Sequence, residues 1–221
     1  MITLANLKKD KEVVDLLNYT QQQLGALGYT EHSQRHVGIV SKWAGEIIEF
    51  AGGTKREIWL TEISGYLHDI GNAVNRRDHA QSGAILAYQL LKERGMDTAD
   101  CAEVMMAIGN HDELDGEPVS KIAAALIIAD KSDVHRSRIC LDRRTPEIAD
   151  KNIHDRVNYA ATNSHIDLVG DEIILKITID TSITPIIDYF EIYFNRMKLC
   201  RSAGKMLGKD FSLVINGVKF V

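Results

Sequence analysis

Eight consecutive apolar residues, Ile122 to Ala129, constrain this chain more than any other feature. They fall within a stretch of helical spacing at about 119–134, and a helix that is apolar on every side has to be buried all round. The run is far shorter than the roughly 20 residues that cross a bilayer, so it reads as the centre of a core. A chain of 221 residues, 45% of them hydrophobic, can supply the elements that must surround it, as one sizeable domain or one domain with a small appendage.

Apolar residues up to about residue 135 recur mainly at three and four, the spacing of one helix face. Val37, Val40, Ala44, Ile47 and Ala51 form one stripe, ended by Gly52 and Gly53; Ile58, Ile63, Leu67 and Ile70 form another, ended by Gly71. Further helices are expected at about 79–94 and 98–109. After residue 163 the period becomes two. Ile173, Leu175, Ile177 and Ile179 alternate with Ile174, Lys176, Thr178 and Asp180, and a hairpin is expected to turn near Gly170-Asp171. Pro185 suits a first helical turn, and Asn216-Gly217 marks a second hairpin. The expectation is a mainly α protein: a helical domain over 1–163 and a small α+β region over 164–221, in the order hairpin, helix, hairpin.

Twenty-six Lys and Arg against 31 Asp and Glu give a formal net charge of −5, which offers no general attraction to duplex nucleic acid or to anionic lipid. Cys101, Cys140 and Cys200 are widely spaced and form no CxxC pair, so neither a disulfide framework nor a thiolate zinc site is implied. Charged residues from Lys8 to Glu12 stand where an export signal would need an apolar stretch, and a cytoplasmic, membrane-free protein is expected. There is no GxxxxGK phosphate loop, GxGxxG fingerprint or serine nucleophile elbow. The aromatic stripe Tyr189, Phe190, Tyr193 and Phe194 reads as core or as a homodimer contact.

The chemistry-bearing residues begin with His68-Asp69, at the end of an apolar helix; His111-Asp112 and His154-Asp155 repeat the dipeptide. Asp130 directly follows the all-apolar run, and a carboxylate on a buried helix costs several kcal/mol unless it meets a cation. Lys131, Arg136 or a metal ion could supply that charge. Asp133, one turn on, reads as solvated or as a cap. His36, His68, His79 and His111 fall on separate helices or their ends, and imidazole with carboxylate suits Fe, Mn, Zn, Co or Ni in an open geometry. His135, His154 and His165 are expected on the surface or in caps.

In their order, His36, His68-Asp69 and Asp130 resemble the signature of the HD-domain superfamily of metal-dependent phosphohydrolases. The resemblance covers about residues 30–138 and includes Arg35-His36-Val37, Tyr66 to Gly71 and Ile127 to Lys131. It implies an HD-domain-like helical bundle holding one or two divalent ions (Fe, Mn, Co, Ni, Zn or Mg). Asp78-His79-Ala80 and Asn110-His111-Asp112-Glu113 resemble the two further histidine segments of two-metal members. On this likeness His36, His68, Asp69 and Asp130 bind one ion, and Asp69, His79 and His111 the other. One departure is Asp112, where some two-metal members have a second His. His32 rivals His36, which is preferred for the apolar residues that follow it. The implied reaction is hydrolysis of a nucleotide or other small phosphorylated molecule, with Asp69, Lys131 and Asp112 in the chemistry, Glu113 as a further proton carrier, and Arg76, Arg77, Lys131 and Arg136 holding phosphate. Two alternatives stay open: a di-iron oxygenase on the same ligands, and a non-catalytic, metal-stabilised signalling or binding protein.

Overall fold

Local capping and apolar spacing set the helices of the body. The computed structural model describes residues 2–29, 34–139 and 152–220. Within them run α1 (Leu4–Leu7), α2 (Lys11–Ala26), α3 (Gln34–Phe50), α4 (Lys55–Leu67), α5 (His79–Glu93), α6 (Thr98–Gly109) and α7 (Lys121–Ser132). Thr54 and Glu57 close a capping box on α4, and the side chains of Asp10, Asp97 and Ser120 cap α2, α6 and α7. α3 ends at Gly52, whose φ of +77° is the left-handed conformation that glycine adopts without strain.

α7 is the axis of the core. Ile122 to Ala129 are between 0 and 2% exposed, with α3, α4, α6 and the long C-terminal helix packed about them. The rest of the described chain comprises α8 (Ile153–Ala160), β1 (Ala161–Val169), β2 (Glu172–Ile179), α9 (Ile186–Met206), β3 (Asp210–Ile215) and β4 (Val218–Lys219). The four strands form one sheet in the order β1-β2-β3-β4. β1–β2 and β3–β4 are antiparallel hairpins, turning at Gly170 (φ +60°) and at Asn216-Gly217 (φ +50° and +81°), as the sequence expects.

Two features depart from that reading. β2 and β3 pair in parallel, Leu175 opposite Leu213, so the two hairpins are joined into one sheet with α9 as the crossover. β1 begins at Ala161 and not after residue 163, because an irregularity between Ala161 and Asn163 hides the first strand residues from a period-two pattern. The buried sheet face, Ile173, Leu175, Ile177, Leu213 and Ile215, belongs to the same hydrophobic cluster as α7, and α9 lies along α7. The C-terminal region thus completes the wrapping of the central helix. Tyr189 is fully buried, whereas Phe194 is exposed. Cys101 and Cys200 are buried free thiols; Cys140 and His32 lie outside the described residues. Among the described residues no helix is long and apolar enough to cross a membrane.

Asp10 ties the start of the chain to this body. It caps α2 and takes two bonds of 2.8 Å from the Arg94 guanidinium, which with the cap bonds lowers its carboxyl to about 2. The folded value lies below the unfolded one, so the contribution is complete above about pH 4 and is lost as pH falls through 2. Asp10→Ala is expected to cost about 1 kcal/mol at pH 7. The Tm difference from the parent, followed by circular dichroism, should narrow between pH 5 and pH 2.

Candidate metal centre

Four histidines reach one point, three of them by the same local device. His68 caps the C-terminus of α4, His79 opens α5 and His111 follows α6; their Nδ1 atoms donate to the carbonyls of Gly65 (2.9 Å), Arg76 (3.2 Å) and Ile108 (2.6 Å), three residues back in each case. His36, on α3, donates instead from Nδ1 to Asp133 Oδ2 at 2.8 Å. An imidazole whose Nδ1 carries the donated proton presents the Nε2 lone pair, the form a metal ligand takes. The rings stand edge to face in a chain, with centroids 5.2 Å apart for His36 and His68, 5.0 Å for His68 and His111 and 5.1 Å for His79 and His111.

The carboxylates enter between them. Asp69 Oδ2 lies 3.4 Å from His36 Nε2 and 3.2 Å from His68 Nε2, and its Oδ1, held by Asn72 Nδ2 at 2.8 Å, is 3.7 Å from His79 Nε2. Asp130 Oδ1 lies 3.3 Å from His36 Nε2 and 3.5 Å from His68 Nε2. Ligand atoms of His36, His68 and Asp130 all fall within 4.8 Å of one another, as do those of His68, Asp69 and His111. Buried His68 Nε2 has no hydrogen-bond partner among the described residues, which is the mark of a nitrogen waiting for a cation. The two groups share His68 and form one arrangement. His79 stands at its edge, outside both groups, with Arg76 Nη1 3.3 Å from its Nε2.

Charge at the centre is consistent with this fit. Burial lowers His79 to about 4 and His111 well below its usual range, leaving both neutral. Burial also opposes charge on His68, but the Asp69 and Asp130 carboxylates outweigh it and raise the ring to about 10. The carboxylates therefore draw positive charge to the point where the Nε2 atoms meet, and the donor set of nitrogen and oxygen suits a divalent ion.

Of the two protein cations weighed beside Asp130, Lys131 makes the contact: its buried Nζ lies 2.6 Å from Asp130 Oδ2 and 2.7 Å from Glu113 Oε2. That leaves Asp130 Oδ1 to the histidines. Arg136 does not take part, because the 3-10 turn Arg136–Arg138 carries its guanidinium over the Tyr159 ring, 5.5 Å from the centroid, and brings Arg138 to His36 and Asp133 instead. Asp133 is the C-cap of α7, as expected, but it is buried and not solvated. It orients His36 and takes charge from Arg35 at 3.0 Å and Arg138 at 3.3 Å. Sequence spacing gave no sign of this role.

A cavity of about 450 Å³ opens above the centre, with Asp69, His79, His111, Asp130 and Lys131 in its lining. Arg76 lines it too, whereas Arg77 and Asp112 line only an adjoining, more open cavity that Arg76 and Glu113 share. Sequence reading missed several other residues of the lining. Asn152, His154, Asp155 and Asn158 of the α8 segment and Tyr193 and Arg196 of α9 line the cavity, and Arg196 Nε donates to Glu113 Oε1 at 2.8 Å. His154 is exposed and Tyr193 belongs to the buried core, both as the sequence expects, yet each also lines the cavity, as does buried Asp155. Of the other histidines, His135 caps the turn before Arg138 and His165 lies half-exposed on β1.

Gly71 fixes the approach of two of these segments. A Cβ there would lie 2.0 Å from the His79 carbonyl oxygen and 2.4 Å from the Gly83 nitrogen, both backbone atoms. Gly71→Ala is expected to cost about 3 kcal/mol, a fall in Tm of roughly 6–12 °C by calorimetry, as α5 and His79 are pushed from the centre.

No family model matches the chain. An uncharacterized protein of Methanocaldococcus jannaschii is 27% identical over 157 residues, so the match spans 60% of this chain and 59% of that relative's length. The crystal structure of a predicted HD superfamily hydrolase from an uncultured Thermotogales bacterium has 26% sequence identity and a TM-score of 0.44, over 61% of this chain and 75% of the other.

Proposed function

We propose that this protein is a metal-dependent hydrolase of the HD superfamily that cleaves a phosphoester or phosphoanhydride of a small phosphorylated molecule. One observation carries the reading: four imidazoles, each tied at Nδ1, turn Nε2 toward two carboxylates beneath a cavity lined by cations. His36, His68, Asp69 and Asp130 would hold one divalent ion, and Asp69, His111 and His79 a second. Ions held there supply Lewis-acid polarisation of a phosphoryl oxygen and bound water acidified to about 7.

The protein's own groups do the rest. Lys131 keeps Asp130 oriented while Glu113, shared with Arg196, keeps Lys131 in place. Arg76 has no carboxylate partner among the described residues and is the cation best placed to hold a phosphate oxygen. Asp112, whose carboxyl is pushed up by burial, can carry a proton toward the leaving group from the adjoining cavity.

Metal analysis of protein purified without chelator, followed by a screen of nucleotides and phosphate esters with Mn, Fe, Co, Ni, Zn and Mg, tests the proposal. Bound divalent metal and metal-dependent release of phosphate are expected. Oxygen uptake by an iron-loaded sample in place of phosphate release would favour the di-iron oxygenase, and metal binding without any turnover the non-catalytic reading.

A further inference from the structure

The lining of the cavity at the proposed metal centre is mostly polar, unlike the apolar lining of most ligand pockets. Asn158 Nδ2 donates to the His154 carbonyl and to Tyr193 Oη, each at 2.8 Å, which leaves Asn158 Oδ1 as an acceptor. Tyr193 Oη accepts that bond, so its own O–H is left to donate, and among the described residues it meets no acceptor. A neutral His154 ring offers one donor and one acceptor. Beside the charged Asp155 and Arg196 these residues thus offer both donors and acceptors, the mix that hydroxyl groups satisfy because each both gives and takes a hydrogen bond.

A flat base finds less. Tyr29 and Tyr193, the aromatic rings of the lining apart from histidines, each carry a guanidinium over a face, Arg76 at 5.8 Å and Arg196 at 4.7 Å. Tyr193 also meets the Tyr189 ring edge to face at 5.0 Å. Base recognition leans on open aromatic or apolar faces, and the wall holds hydrogen-bonding groups in their place.

We propose that the substrate is a small, hydroxyl-rich phosphomonoester of the sugar phosphate or polyol phosphate class, with Asn158, Tyr193 and His154 reading the hydroxyls of its leaving group. This rests on the phosphohydrolase reading above. In the reaction, water provides the new bond to phosphorus, the ester P–O bond breaks, and the leaving oxygen takes a proton to become the free alcohol.

The metal-loaded full chain is to be assayed against ribose 5-phosphate, glucose 6-phosphate and glycerol 3-phosphate, against AMP, and against p-nitrophenyl phosphate, whose leaving group has no further hydroxyl. One of the first three should show the highest kcat/KM. Tyr193→Phe, which keeps the buried ring, should lower kcat/KM for that ester about tenfold more than for p-nitrophenyl phosphate, through KM. His154→Gln should act in the same direction. A preference for AMP, or an equal loss on both esters in Tyr193→Phe, overturns this inference and leaves the phosphohydrolase reading intact. Failure of metal-loaded protein to cleave any of these esters, or the phosphoanhydrides ADP and ATP, overturns both.

Discussion

Asp69→Ala is expected to release bound divalent metal and to lower phosphate-ester hydrolysis by about 10³-fold or more. Asp69 is the carboxylate within reach of both clusters: Oδ2 faces His36 and His68, and Oδ1 faces His79. Its loss removes negative charge from the point where the four rings converge and leaves Asp130, whose Oδ1 lies beside His36 and His68, as the remaining carboxylate there. Elemental analysis and turnover, measured beside circular dichroism to show that the chain still folds, check the result. His165→Ala, on the half-exposed strand β1, is the control and should change neither. Full activity in Asp69→Ala would contradict the assignment.

Lys131→Met is expected to destabilise the metal-free protein by about 3–5 kcal/mol. The ammonium is buried between Asp130 and Glu113, which hold its pKa above the usual range although burial opposes the charge. Without it Asp130 and Glu113 lose the cation they share, leaving Arg196 beside Glu113 and the His36 and His68 rings beside Asp130. The cost should shrink when divalent metal is present, since an ion at the histidines would neutralise Asp130. Urea unfolding with and without EDTA measures both values. An equal cost under the two conditions would separate Lys131 from the metal site.

The main features of the body were legible because they are local. Helical spacing over Val37 to Ala51 marks a helix face wherever it occurs, and a stretch apolar on all sides has no stable place except the middle of a core. The same reasoning marked Asp130 as needing a cation. Even the Nδ1 bonds of His68, His79 and His111 are local, each closing on a carbonyl three residues earlier. What was missed depends on distance along the chain. Asp133 meets His36 across 97 residues, and Arg196 meets Glu113 across 83. Neither pairing leaves a periodic trace. Arg136 was named for its nearness to Asp130 in sequence, but a 3-10 turn carries its guanidinium over Tyr159 and brings that of Arg138 to Asp133.

By itself, the sequence determined that this protein is a mainly helical body about one buried helix, with an α+β C-terminal region and an ordered set of histidines and aspartates suited to divalent metal. Periodicity and side-chain chemistry are properties of short segments, so they survive without a partner. Only the tertiary structure decided that β2 and β3 join in parallel, that Asp133 and Arg138 brace His36, and that α8 and α9 bring Asn158, Tyr193 and Arg196 over the centre. Those contacts arise where the folded core brings distant segments together, and no local pattern records which segments will meet.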